Sequence, residues 1–388
     1  MRDEIVQELD KIAKEIENQI PDLSLPGLMS GTAGISLFLF IYSKYKGSEH
    51  FYNIACQILE KTIDNINLCT GHSLCSGISG ICWAIEFLCK NEYIDKQNLK
   101  INQELNSYLK NKAIKSAEEG DFDFLHGSIG SAIYLLESKD SDTSFHEKIL
   151  KSLTQYMHDS YEGGYWMYYW ADMKKDRRIN ISISHGMSST CIYLIQLLNK
   201  IGSKEEGKYL LEKSINYIIA QEYKENRLSA FPTFCKQYDN KNQIRNSRLG
   251  WCYGDLGIGL LFWNYYKYLD SKYFRDKSID LFLKIGKRKD LDMNSVHDAG
   301  LCHGTSGIGL IYHKMYLNTK INEFKKISEY WLNETINYSF SKKGQSAYPS
   351  NNPEHSLSLL DGIAGIGLYL LTQVDNQYLG WENMLFIN

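Results

Sequence analysis

Proline is scarce in this chain, five in 388 residues, and no two of its nine cysteines are spaced as a C-x-x-C pair. With 43% hydrophobic, 23% charged and 13% aromatic residues beside so little proline, the composition is that of an ordered globular protein and excludes a disordered or collagen-like one. An odd cysteine count in a chain this long argues against a disulfide framework, so reduced thiols are expected, some of them metal ligands. A charge excess is lacking too: 43 Lys and Arg against 46 Asp and Glu leave a net −3, which provides no basic field for a phosphate backbone and excludes nucleic acid as a partner. Long apolar runs are missing. A stretch such as Ile35 to Tyr42 stops far short of the roughly 20 residues of a spanning helix, so no transmembrane segment is expected. The N-terminus is acidic where a signal peptide would start basic, which makes the cytoplasm the expected place.

What the chain does have is a glycine signal repeated seven times. It reads Ser30-Gly-Thr-Ala-Gly34, Ser76-Gly-Ile-Ser-Gly80, His126-Gly-Ser-Ile-Gly130, His185-Gly-Met-Ser-Ser189, Tyr253-Gly-Asp-Leu-Gly257, His303-Gly-Thr-Ser-Gly307 and Asp361-Gly-Ile-Ala-Gly365. The copies lie 46 to 68 residues apart, and an apolar run too long for a short strand follows each. Amphipathic stretches such as Phe51 to Ile63 and Lys208 to Ile219 fill the intervals. Each repeat therefore predicts a glycine turn, a buried helix and a surface helix. Neither terminal copy looks like a polar cap, so closure is favoured over an open solenoid. The expected architecture is all-α, a single (α/α)7 double-ring toroid over residues 1–388 with small loop or β insertions near 161–181 and 223–247. Positive φ at the first glycine and close helix approach at the second are the expected reasons for the motif. A dinucleotide site is excluded, because Gly254, Gly257 and Gly259 have the wrong order of glycines and follow no strand.

In a closed ring of equivalent turns, residues at one offset from the glycine converge on the axis. Just before the first glycine stand Ser30, Ser76, His126, His185, Tyr253, His303 and Asp361. One residue earlier come Met29, Cys75, Leu125, Ser184, Cys252, Cys302 and Leu360. Cys252 and Cys302 share an offset in adjacent repeats, and His303 follows Cys302. Two thiols and an imidazole suit Zn²⁺, one ion per chain, and three protein ligands where a structural zinc takes four point to an open catalytic position. Small buried hydrophobes are the alternative reading of the two cysteines. Cys75, Cys82 and Cys89 are expected to be packing residues. A toroid glycosidase would need two carboxylates on the substrate, yet Asp361 is the only acid at these fourteen positions.

Trp251-Cys252-Tyr253-Gly254 and Cys302-His303-Gly304, with Ser184-His185-Gly186 and the seven turns, resemble the lanthionine synthetase C family, the LanC cyclases, over nearly the whole chain. The resemblance implies an α/α toroid with a central zinc. The implied activity is addition of peptide cysteine thiols to dehydroalanine or dehydrobutyrine, forming (methyl)lanthionine thioether rings. By motif it assigns Cys252, Cys302 and His303 to the metal, and His185, Asp123 of Asp-Phe-Leu-His-Gly127, Arg248 of Arg-Leu-Gly-Trp-Cys252, and Tyr253 to the active site. Two positions depart from the pattern: Ser189 replaces the second glycine of repeat four, and His126 precedes Gly127 where another polar residue is expected. The implied partners are a dehydrated precursor peptide, leader plus core, with a cognate dehydratase and a peptide exporter. That adds the inner face of the membrane, as part of a biosynthetic complex, to the cytoplasm as an expected location.

The chemistry asks for a thiolate, and a free cysteine with a pKa near ~8.5 is only a few per cent ionised at neutral pH. Zinc coordination removes that proton. Attack on the β-carbon develops an enolate that needs a proton at Cα, for which His185 is the expected acid and Asp123 its orienting partner. Arg248 and Tyr253 are expected at the enolate oxygen; a simple Asp123–Arg248 ion pair is the alternative. A LanC-like zinc protein that binds thiols or peptides without forming rings is the competing function.

Overall fold

The computed structural model describes residues 2–20, 25–69, 71–138, 142–170, 173–202, 204–225, 227–235, 246–349 and 355–388, with the backbone alone at 169–170, 173–177 and 345. Fifteen α-helices run in chain order through the described residues: α1 (Arg2–Asn18), α2 (Thr32–Lys46), α3 (Glu49–Asp64), α4 (Ile78–Lys90), α5 (Leu99–Glu118), α6 (Ser128–Glu137), α7 (Thr143–Tyr156), α8 (Met187–Ile201), α9 (Glu205–Ala220), α10 (Asp255–Leu269), α11 (Lys272–Ile285), α12 (Thr305–Thr319), α13 (Asn322–Asn337), α14 (Phe340–Lys343) and α15 (Ile363–Val374). Seven of them, α2, α4, α6, α8, α10, α12 and α15, begin directly after the first glycine of a repeat. These are the apolar helices. Twelve consecutive residues of α2, Thr32 to Ser43, are buried, whereas its partner α3 buries only Ile54, Ala55, Ile58, Leu59 and Thr62 along one face. Polar caps start the partners: the Ser48 hydroxyl accepts from Phe51 N–H ahead of α3, and the Asp142 carboxylate accepts from Ser144 and Phe145 N–H ahead of α7. None of these helices is long and apolar enough to cross a membrane.

The residues group into two compact units. One comprises Met1–Glu104 with Val296–Asn388 and the other Leu105–Ser295, the first division running through α5. In the first unit, α2 packs on α3, α12 on α13, and α15 on α1, α2 and α12, so the first helix of the chain is the amphipathic partner of the last glycine-started helix. In the second, α8 packs on α6, α9 and α10, and α10 on α11.

One loop recurs ahead of six of the glycine-started helices. The N–H of the residue after the glycine donates to the carbonyl seven positions back: Thr32 to Leu25 (2.7 Å), Ile78 to Gly71 (3.1 Å), Ser128 to Asp121 (3.1 Å), Met187 to Asn180 (2.8 Å), Thr305 to Asp298 (3.1 Å) and Ile363 to Ser356 (2.9 Å). The loop thereby folds under the glycine, and an added Cβ would run into an oxygen of the residue six back at Gly31, Gly127, Gly186, Gly304 and Gly362. This corrects the expected reason for the first glycine. Gly31, Gly77, Gly127, Gly186, Gly304 and Gly362 all have negative φ; only Gly254, at φ +86°, needs the left-handed region. Space decides the rest.

Positions two before the glycine are joined through the main chain. In the first unit Cys302 N–H donates to Leu360 O (3.0 Å), Leu360 N–H to Met29 O (2.9 Å) and Met29 N–H to Cys75 O (2.8 Å), which runs from the sixth repeat through the seventh and first to the second. In the second unit Ser184 N–H and its hydroxyl both donate to Cys252 O, at 3.3 and 2.9 Å. Cys75, Cys82 and Cys89 are buried in the core of the first unit, as their packing assignment expects.

The first expected insertion holds two antiparallel hairpins, β1 (His158–Ser160) with β2 (Gly163–Tyr165) and β3 (Tyr168–Trp170) with β4 (Met173–Arg178). Trp166 between them is fully buried and its indole N–H donates to Leu153 O at 2.8 Å. The second expected insertion contributes two isolated bridges, Asn180 with Phe234 and Pro232 with Asn246. Residues 171–172 of the first and 226 and 236–245 of the second lie outside the described residues.

Candidate active site and metal ligands

In the second unit, the residues just before the first glycine of three successive repeats stand ring against ring. His126 stacks on His185, with centroids 5.6 Å apart and planes 12° apart, and His185 meets Tyr253 at 5.9 Å. His126 and His185 leave equivalent turns, and Tyr253 holds the same offset in the next repeat. Asp123, three residues before His126, lies under the pair. Its Oδ1 accepts from His126 N–H at 2.8 Å and its Oδ2 lies 2.7 Å from His185 Nδ1. Main-chain anchoring holds the histidine as well, with Ser182 Oγ accepting from His185 N–H at 3.2 Å.

Burial works against a charge on His185. The Asp123 carboxylate outweighs it through charge and hydrogen bond, Cys252 adds to it, and the imidazole is held above its ordinary 6.5. Burial likewise opposes ionisation of Asp123, but the charge and hydrogen bond of His185, with smaller contributions from His126, keep that carboxyl below its ordinary 3.8. With Nδ1–H committed to Asp123, Nε2 is the nitrogen of His185 able to exchange a proton with a substrate.

The Trp251-Cys252-Tyr253-Gly254 turn is fixed from several sides. Trp251 is fully buried with Phe124 edge-on at 6.4 Å, and Cys252 is 3% exposed. Asp255, the first residue of α10, accepts from Ala230 and Phe231 N–H at 3.1 and 2.8 Å and pairs with Arg288 at 3.0 Å; Arg288 in turn donates to Ser247 O at 2.6 Å and to Asn294 Oδ1 at 2.7 Å. Residues 230–231 and the loop after α11 therefore bear on the same turn. Arg248 donates from Nη2 to Ser295 O at 3.0 Å. The Asp123–Arg248 alternative is not formed: the Asp123 carboxylate is engaged by His185. Phe234 also reaches the cluster, edge-on to Tyr253 at 6.1 Å, with the Arg178 guanidinium over the Phe234 ring at 5.5 Å from its centroid.

In the first unit, Cys302 and His303 sit on the loop before α12. Cys302 is anchored by its N–H to Leu360 O, and His303 Nε2 lies 3.3 Å from Asp298 Oδ2. Asp298 Oδ1 accepts from Gly300 N–H at 2.9 Å.

Of the residues expected from the sequence, His185, Asp123 and Tyr253 come together in the second unit, Arg248 lies against Ser295 near Cys252 in the chain, and Cys302 and His303 share one loop of the first unit; Asp255, Arg288, Phe234 and Asp298 were not expected. Asp255 directly follows the Trp-Cys-Tyr-Gly run, and Asp298 shares its place six before the first glycine with Asp121 and Asn180. Both signals were present. Phe234 and Arg288 carry none, since long-range packing alone brings them in.

A family profile described as lanthionine synthetase C-like protein matches residues 25–386. The nisin biosynthesis protein NisC of Lactococcus lactis subsp. lactis is 25% identical over 369 residues, covering 88% of this chain and 84% of that protein. Among solved structures, nisin cyclase superposes with a TM-score of 0.79 at 21% identity, over 99% of this chain and 97% of that one. The likeness shows the fold, the all-α toroid expected from the seven glycine repeats.

Proposed function

Because the chain belongs to the lanthionine synthetase C-like family, we propose that it is a zinc-dependent lanthipeptide cyclase joining peptide cysteine thiols to dehydroalanine or dehydrobutyrine. The donor set Cys252, Cys302 and His303, two thiols and an imidazole, suits one Zn²⁺ per chain. The loops that carry these donors are held firmly: the main chain of Cys302 is tied to Leu360, that of Cys252 to Ser184, and His303 has a carboxylate behind its ring. Zinc bound there would hold a peptide thiol as thiolate at neutral pH.

The observation that carries the cyclase reading is the Asp123–His185 pair, 2.7 Å long and next to Tyr253. Ring formation makes a sulfur–Cβ bond, breaks the Cα=Cβ π bond, removes the thiol proton and adds one at Cα, so mass is unchanged. His185 delivers the Cα proton from Nε2, while Asp123 holds Nδ1–H and stabilises the imidazolium before transfer. Tyr253 and Arg248 stabilise the developing enolate oxygen. The substrate is a dehydrated precursor, leader plus core, made by a cognate dehydratase and passed to a peptide exporter. The proposed setting is the cytoplasm, extending to the inner face of the membrane when the protein is held in such a complex.

Incubating a dehydrated precursor with the protein is expected to consume free thiols at constant mass, with stereochemistry and ring pattern distinct from an enzyme-free control. Chelation is expected to abolish the difference. Persisting thiols, or products matching the control on several peptides, would favour a zinc protein that binds thiols without forming rings.

A further inference from the structure

We propose that Asp298 is the positioning residue of the metal site, its carboxylate holding Nε2–H of His303 so that Nδ1 is the ligating nitrogen. The inference rests on the zinc assignment above. Three repeats place an aspartate or asparagine six before the first glycine, and each uses one side-chain oxygen to close the same small turn. Asp121 Oδ1 accepts from Asp123 N–H at 3.3 Å, Asn180 Oδ1 from Ser182 N–H at 2.9 Å, and Asp298 Oδ1 from Gly300 N–H at 2.9 Å. Asn180 establishes that an amide is enough for the turn. Where a side chain closes this turn, an oxygen is enough and no charge is needed.

A carboxylate has a second oxygen, and in Asp298 it lies 3.3 Å from His303 Nε2, with the Asp298 side chain 9% and the His303 side chain 19% exposed. Keeping a nearly buried carboxylate where an amide would serve costs desolvation, so the charge needs a separate reason. The imidazole is that reason. A carboxylate accepting from one ring nitrogen fixes the tautomer, orients the ring and raises the basicity of the other nitrogen toward a metal. Tethering at Gly300 and His303 together leaves the aspartate little freedom to turn away, and Cys302 between them is held by its own main-chain bond to Leu360.

Asp298→Asn separates the two duties, because it preserves the turn oxygen and removes the acceptor from His303. In competition with a chelating zinc dye, the full-length variant is expected to bind zinc about 10- to 100-fold more weakly than wild type, with unchanged far-UV helicity and urea midpoint when both are metal-free. Asp298→Ala, which loses the turn as well, is expected to lower that midpoint too. Wild-type zinc affinity in Asp298→Asn overturns the inference and leaves the zinc assignment standing. A metal-free midpoint lowered in Asp298→Asn as much as in Asp298→Ala makes the residue structural and overturns it as well. If the wild-type protein takes up no zinc, or His303→Ala binds it equally well, the zinc assignment fails and the inference falls with it.

Discussion

His185 titrates against Asp123, and the sign of that coupling sets what pH should do. The folded pKa of His185 is raised above 6.5, so its contribution to stability is fully present below 6.5 and is lost as pH rises through the folded value. Asp123 is depressed below 3.8, so its contribution is present above 3.8 and is lost as pH falls through its folded value. The pair is strongest between those limits. The His185 ring resonance is expected to titrate with a midpoint above 6.5 and to drop in Asp123→Asn, and the stability difference between that variant and wild type should shrink on the alkaline side. A midpoint unmoved by Asp123→Asn would mean that the carboxylate does not govern the imidazole. In kinetics, His185→Ala should keep zinc and fold while slowing cyclisation by about 10²- to 10⁴-fold. Metal analysis should find that Cys252→Ala, Cys302→Ala and His303→Ala each lose most of the zinc. Zinc lost in His185→Ala would make that residue a ligand instead.

At the level of the helix and its leading turn, the period of the repeat was legible because seven leading turns, six of them built as one loop, leave one glycine each in the same place. The reason for the glycine was not. Sequence shows a residue without a side chain but not which atom occupies the space, and both a left-handed turn and a crowded one select glycine. A pair of substitutions separates the two causes. Gly362 has φ −116°, which any residue adopts, but an added Cβ meets the Ser356 carbonyl and the Ser358 nitrogen. Gly47 has φ +62° with open space around it. Gly47→Ala should cost about 1 kcal/mol, the left-handed penalty alone. Gly362→Ala should cost about 1–3 kcal/mol, because main-chain atoms cannot rotate out of the way. Urea midpoints measure both, and equal losses would refute the steric explanation. The same limit applies to the site. His185 and Cys302 follow from an offset, whereas Phe234 reaches Tyr253 from a segment whose path depends on long-range pairing with Asn180.

For the whole chain, closure is implied by an absence: the last repeat has no polar face to meet solvent. In the first unit its outer side is covered by α1, and main-chain bonds run from Cys302 through Leu360 and Met29 to Cys75. Counting glycine motifs could not reveal that α1 completes the seventh pair, since it carries no motif and its partner lies at the far end of the sequence. Its amphipathic face is what assigns it. Leu9, Ile12, Ala13 and Ile16 are fully buried, and Glu8 beside them accepts from Phe340 and Ser341 N–H at the start of α14. If α1 is an integral layer and not an appendage, truncating that face should destabilise the fold as any core deletion does. Leu9→Ala is expected to cost about 2–5 kcal/mol, read from the urea midpoint, whereas an exposed position on the same helix, such as Lys11→Ala, should change it by less than about 0.5 kcal/mol. A Leu9→Ala variant as stable as wild type would mean that the seventh repeat holds its place without α1, and that the cover over α15 contributes nothing to closing the ring.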